Sequence, residues 1–229
     1  MRPAILKFIL ISAFAFSFMG AQAQDKKEES DSLKRRAIQK PTGVRIGTDL
    51  IAIGKTVFDS PLSGWELNAD VDFDRYYLAL EYGSWARKDS VDNGYYTNDG
   101  RYFRIGVDVN FLLNDPDKNM FFLGFRYGRS TFDEQLNYQT TLADFGIIQK
   151  EISNQNATAG WGELTTGLRV KIWKYLWMGY TARMKFSPNV KGNQELETYD
   201  IPGYGKTSKA VYWGFNYQVF WRIPLKKNQ

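Results

Sequence analysis

The chain contains neither cysteine nor histidine among its 229 residues. The first absence excludes disulfides, thiolate metal sites and lipid attachment at an N-terminal cysteine. The second removes the usual base that activates a serine or a water in hydrolysis. Also missing is an apolar run of the ~20 residues that a membrane-spanning helix requires. The formal charge of +5 is modest, and no basic cluster is long enough to track nucleic acid. A chain with these gaps can enter a membrane only as strands.

What the sequence does have begins with a leader. Arg2 and Lys7 precede the apolar run Phe8–Met19, and Ala21-Gln22-Ala23 follows it. A charged segment, a short apolar segment and small residues at A-x-A spacing make a secretory signal peptide over 1–23, cleaved near Ala23. Residues 24–42 are charged and aperiodic, which predicts a flexible periplasmic tether. The barrel is expected over 43–225, with a short tail at 226–229.

The organising stretch is Tyr102–Phe111. Phe103, Ile105, Val107, Val109 and Phe111 fall on one face, and Arg104, Gly106, Asp108 and Asn110 on the other. Such period-two alternation reads as a strand with one apolar and one polar side. The pattern recurs over about 43–52, 64–73, 76–83, 121–128, 163–172, 177–185 and 213–223. Short turns at Asp74-Arg75, Leu113–Lys118 and Lys174-Tyr175 alternate with longer connections, including a polar loop over about Arg87–Asp99. The expected fold class is therefore all-β: an eight-stranded antiparallel up-and-down transmembrane β-barrel with a polar, salt-bridged lumen.

The choice of inward face follows from size. Trp65, Phe73, Tyr82, Phe103, Phe111, Phe125, Tyr180, Trp213, Phe215 and Trp221 all lie on the apolar face. Eight strands enclose a space just wide enough for ordinary side chains, so these rings are expected to face lipid. The polar face carries most strand glycines and charges of both signs. Arg45, Asp49, Glu66, Asp70, Asp72, Glu81, Arg104, Asp108, Arg126, Glu163, Arg169, Arg183 and Arg222 are the expected luminal ion network, since a low-dielectric interior demands pairing. Such a lumen is plugged, not open. Val107→Arg is then expected to cost about 2–4 kcal/mol on the lipid face, while charge substitution at luminal positions such as Arg104 is expected to leave lipid insertion tolerable.

Candidate chemistry is thin. Gly54-Lys55-Thr56 lacks the upstream glycine of a phosphate loop, because that position is Asp49. Asp70 and Asp72 share a strand face but read as members of the ion network. Ser84 and Ser130 have no histidine to activate them. Asp89, Asp92 and Asp99 match no metal spacing. No catalytic residue, cofactor or metal site is expected. The apolar piece Leu142–Ile148 reads chiefly as an extension of the barrel, with partner contact as the other reading.

Residues 43–225 resemble the OmpA/OmpX-type eight-stranded barrels in alternation and loop rhythm. The opening Lys40–Leu50 (KPTGVRIGTDL) and the ending Tyr217–Lys227 (YQVFWRIPLKK) look more specifically like an uncharacterised Bacteroidota family of small outer-membrane barrels. The ending departs from the usual barrel signal, because Trp221 and Ile223 precede Pro224 and a basic tail. The resemblance implies an integral outer-membrane protein without assigned activity. The expected role is non-enzymatic, structural or interactive. Its partners would be outer-membrane lipid and a protein contacted through loops 133–159 and 187–209. The alternatives are an accessory subunit of an outer-membrane export or assembly machine, and a soluble periplasmic lipocalin-like carrier.

Overall fold

The computed structural model describes residues 41–58, 61–112, 115–142, 146–192 and 196–225. The expected signal peptide, tether residues 24–40 and the tail 226–229 lie outside the described residues. Eight long strands form a closed antiparallel ring. They are β1 (Gly43–Asp49), β2 (Leu62–Phe73), β3 (Tyr76–Val91), β4 (Gly94–Asn110), β5 (Met120–Leu142), β6 (Gly146–Trp173), β7 (Leu176–Lys191) and β10 (Val211–Pro224). One helix, α1 (Leu50–Val57), joins β1 to β2, and a two-stranded sheet of β8 (Asp200–Ile201) and β9 (Gly205–Lys206) precedes β10. Each long strand pairs with its sequence neighbour. Closure comes from β1 on β10, in register from Gly43 opposite Pro224 to Asp49 opposite Gln218.

At one end of the ring the turns are tight. Asp74-Arg75 joins β2 to β3, and Lys174-Tyr175 joins β6 to β7. Asp74 takes the left-handed conformation that such a turn needs, with φ +69°, which Asp tolerates better than most residues. The opposite end carries α1, the two-stranded sheet and the long hairpins.

Period-two alternation marks the faces, and the structure keeps them. It also moves several boundaries. β1 ends at Asp49, where the alternation was expected to run to Ala52. The Asp49 carboxylate accepts a hydrogen bond from the Ile51 N–H, and the chain turns into α1. The unbroken apolar run Leu50–Ile53 has no polar alternate, and a capping Asp precedes it, so helix wins over strand there. The expected polar loop 87–99 is instead strand: β3 and β4 continue in register to a two-residue turn at Asp92-Asn93. Asn93 has φ +61°, a left-handed conformation that Asn tolerates better than most residues.

The segment 133–159 extends the barrel. β5 and β6 run 23 and 28 residues and stay paired up to Leu142 and Gly146, with one bulge near Asp133. The segment 187–209 behaves otherwise. After a bulge at Ser187, with φ +52°, β7 continues to Lys191. The chain from Leu196 onward then folds back over the barrel mouth, burying Ile201 and Tyr204 completely.

Candidate functional site in the barrel interior and mouth

The interior is built in layers. Nearest the short-turn end, Arg45 Nε donates to Asp70 Oδ1 at 2.8 Å and Arg169 Nη1 to Asp70 Oδ2 at 2.5 Å. Arg222 reaches Asp72 at 2.8 Å. Rings fill the space between these ions: the Arg45 guanidinium lies 4.6 Å from the Tyr77 ring centroid, and that of Arg169 lies 4.6 Å from Phe220 and 4.9 Å from Phe122. Cation–π contact of this kind gains strength away from water.

The middle layer centres on Glu81. Its two oxygens take Arg126, Arg104 at 2.9 Å and Arg183 at 2.9 Å. Arg126 also reaches Asp108 at 2.7 Å, Arg104 reaches Glu66 at 2.8 Å and Glu163 at 3.0 Å, and Arg183 reaches Glu163 at 3.0 Å. Each guanidinium thus bridges two or more carboxylates through its fork of donors. The network joins β2, β3, β4, β5, β6 and β7 across the lumen.

Above it lies an apolar layer of Tyr102, Phe132, Trp161, Ile201 and Tyr204, with Trp85, Val190 and Tyr212 around it. Lys185 Nζ donates to the Gly203 and Tyr204 carbonyls at 2.7 and 3.0 Å, and Arg104 Nη2 donates to Gly203 at 2.8 Å. The folded-back segment is therefore tied to the ion network beneath. Farther out, Arg87 pairs with Asp200 at 3.0 Å and Asp89 at 2.9 Å. Glu134 accepts from Tyr96 Oη, Asn154 Nδ2 and Thr198 Oγ1. In this outer layer burial pushes the Asp200 carboxyl above the usual carboxylate range, although Arg87 opposes it. Burial, and then the Glu134 charge, raise the Tyr96 phenol.

Of the thirteen expected luminal residues, twelve are buried in the interior, and Arg222 is half-buried at the short-turn rim. Asp49 stands apart from the arginines, since its carboxylate caps α1 and accepts from Asn216 Nδ2 at 2.7 Å and the Tyr217 N–H. Of the ten expected outward aromatics, nine are exposed and Phe73 is half-buried on the same face. Other rings lie on the inward face. Tyr77, Tyr102, Phe122, Trp161, Trp177 and Phe220 are buried inside. Glycines opposite them make the room: a Cβ on Gly47 would meet the Phe220 ring at 2.5 Å, and one on Gly128 would meet the Trp161 ring at 2.3 Å.

Sequence reasoning also missed Lys185, Arg87, Glu134 and Asp200. Lys185 shares the register of Arg183, so its inward face was readable. The others sit on segments taken for loops. Among the described residues nine buried carboxylates face seven buried Arg and Lys side chains, with Arg222 as a half-buried eighth, so their charge nearly cancels.

A cleft of about 300 Å³ opens at the mouth, lined by Asp49, Lys55, Glu66, Trp85, Lys185 and Asp200 among others. Asp70 and Asp72 are taken by arginines, while Ser84 and Ser130 donate to the Gly100 and Arg101 carbonyls. No group of three potential metal ligands occurs among the described residues.

A protein family described as a domain of unknown function (DUF6048) matches residues 4–228 of the chain. No curated protein matches it.

Proposed function

The chain belongs to the DUF6048 family, and from that premise and the barrel's two faces we propose that it is an integral outer-membrane protein of OmpA/OmpX-like architecture. In this reading the short turns face the periplasm, the long hairpins face outward, and the protein performs no catalysis. Its role is structural or interactive, exercised through the outer surface and the projecting hairpins.

One observation carries the proposal. The outward positions 65–73, 76–82, 103–109, 121–127, 164–170, 176–186 and 211–223 bear no charged side chain, while the inward positions bear an ion network. A water-soluble barrel needs the reverse arrangement, and a bilayer of ~25 Å apolar thickness needs this one. A lipocalin-like carrier also needs an apolar cavity, and here the space within the strands is filled by ion pairs and rings. The machine-subunit reading draws on the hairpin tip, where Ile147 is 72% exposed on the long β5–β6 extension.

The test is a gel of detergent-extracted envelope, native in the first dimension and denaturing in the second, with boiled and unboiled samples. A small species whose mobility shifts on boiling is expected for a free-standing barrel. Migration within a much larger assembly identifies a machine subunit, and recovery in the soluble fraction overturns the membrane reading.

A further inference from the structure

Near the long-loop end, the outward face of β6 carries only the small residues Thr158, Gly160 and Gly162. A trough therefore follows this strand between the outward side chains of β5 and β7. Phe125 and Tyr127 wall one side, and Phe186 of β7 closes the inner end. A Cβ on Gly160 would lie 2.7 Å from Tyr127 Oη, and one on Gly162 would lie 2.7 Å from the Phe186 ring. The Phe125 and Phe186 rings approach to 6.5 Å between centroids. The groove measures about 540 Å³, which is within the range that ligand sites occupy.

Two cations stand at its outer end. Arg129 and Lys191 line the groove, are exposed, and make no ion pair among the described residues. Their cross-strand neighbours are uncharged: Phe103 and Gly160 face Arg129, and Thr158 faces Lys191. Arg101 on β4 differs, because two carboxylates lie near it: Asp99 precedes it by two residues on the same face, and Asp133 stands opposite Asp99 in the register. The groove cations also sit at a telling height. Along β5 from Met120 to Arg129 the strand climbs roughly 23 Å at ~3.3 Å per residue and ~40° tilt, which is close to the outer limit of a ~25 Å apolar band.

Resting on the membrane reading above, we propose that this trough seats a phosphorylated lipid of the outer leaflet. One acyl chain lies in the groove over the Tyr127 and Phe186 rings that cover Gly160 and Gly162, and the phosphate sits between Arg129 and Lys191. An apolar groove alone accepts any chain in a bilayer. The unpaired cations at its headgroup end select an anionic lipid, with the guanidinium fork suited to phosphate oxygens.

The experiment uses the folded chain in detergent micelles and reads retained lipid by native mass spectrometry. Phosphatidic acid is the probe, with diacylglycerol and inorganic phosphate as the chain-only and headgroup-only comparisons. The wild type is expected to retain phosphatidic acid at least about tenfold better than diacylglycerol. R129Q/K191Q is expected to lose that preference, and K88Q/R101Q, which removes equal charge elsewhere on the outer rim, to keep it. Equal loss in both double variants overturns the site in favour of unspecific charge. Displacement by equimolar inorganic phosphate overturns the lipid assignment. A chain that folds with a heat-modifiable shift yet shows no preference overturns this proposal alone. A chain that never gives that shift overturns the membrane reading and this proposal together.

Discussion

Glu81 is the residue on which the interior converges. Three guanidinium groups meet its carboxylate, and all three are buried. Glu81→Gln keeps the shape and removes the charge, leaving Arg104, Arg126 and Arg183 short of a shared partner. Breaking a buried ion network from one side costs about 3–5 kcal/mol, and urea unfolding of the barrel in vesicles is expected to show a loss of that size. Arg104 touches Glu66, Glu81 and Glu163, so by the same logic its substitution is expected to lower the stability of the folded barrel. A better contrast to Val107→Arg is Thr131→Arg, exposed on the outward face beyond Arg129. In lipid, Val107→Arg is expected to cost about 2–4 kcal/mol and Thr131→Arg under about 1 kcal/mol. Equal small effects at both positions would place Val107 in water. At this scale the sequence showed which side of a strand each charge occupies. It could not show partners, because Arg183 and Glu81 lie 102 residues apart and meet only on closure of the ring.

Elements were legible where the outward face is apolar and the inward face is polar. Where a hairpin rises beyond the apolar band, both faces are polar and the alternation fades, as in Arg87–Asp99 and Asp133–Ala159. Helix α1 was hidden for another reason: Leu50 and Ala52 happen to continue the parity of β1, and only the cap at Asp49 marks the change. The folded-back segment with β8 and β9 had no periodic signal at all, since two-residue strands are shorter than any pattern. It is held by Arg87, Lys185 and the Glu134 cluster. Tyr96 makes this layer alkali-sensitive. Its phenol is raised in the folded state, so the stability it lends is fully present below the unfolded value of about 10 and is lost as pH rises beyond it. Protease cleavage of the outer hairpins is expected to accelerate more between pH 9 and pH 11 in the wild type than in Tyr96→Phe. Identical acceleration in the two would remove Tyr96 from the account.

The described residues form a barrel with apolar side chains outward and ion pairs inward. Apolar and aromatic residues cover the outer wall, while ions, rings and glycine gaps fill the interior without leaving an apolar cavity. The ring of eight strands and its inward face were readable from parity and turn spacing. The filled mouth was not, because it depends on a loop folding inward onto Lys185 and Arg104. If the outer wall meets acyl chains, tryptophan reports it directly. Trp65, Trp173, Trp213 and Trp221 are exposed on the outer side, whereas Trp161 and Trp177 are buried inside. The decisive measurement is tryptophan fluorescence of the chain folded into vesicles whose acyl chains carry bromine. Strong quenching relative to unbrominated vesicles, reduced when Trp213 and Trp221 are replaced by Phe, is the expected result. Fluorescence indifferent to bromine, with the protein folded, would contradict the account.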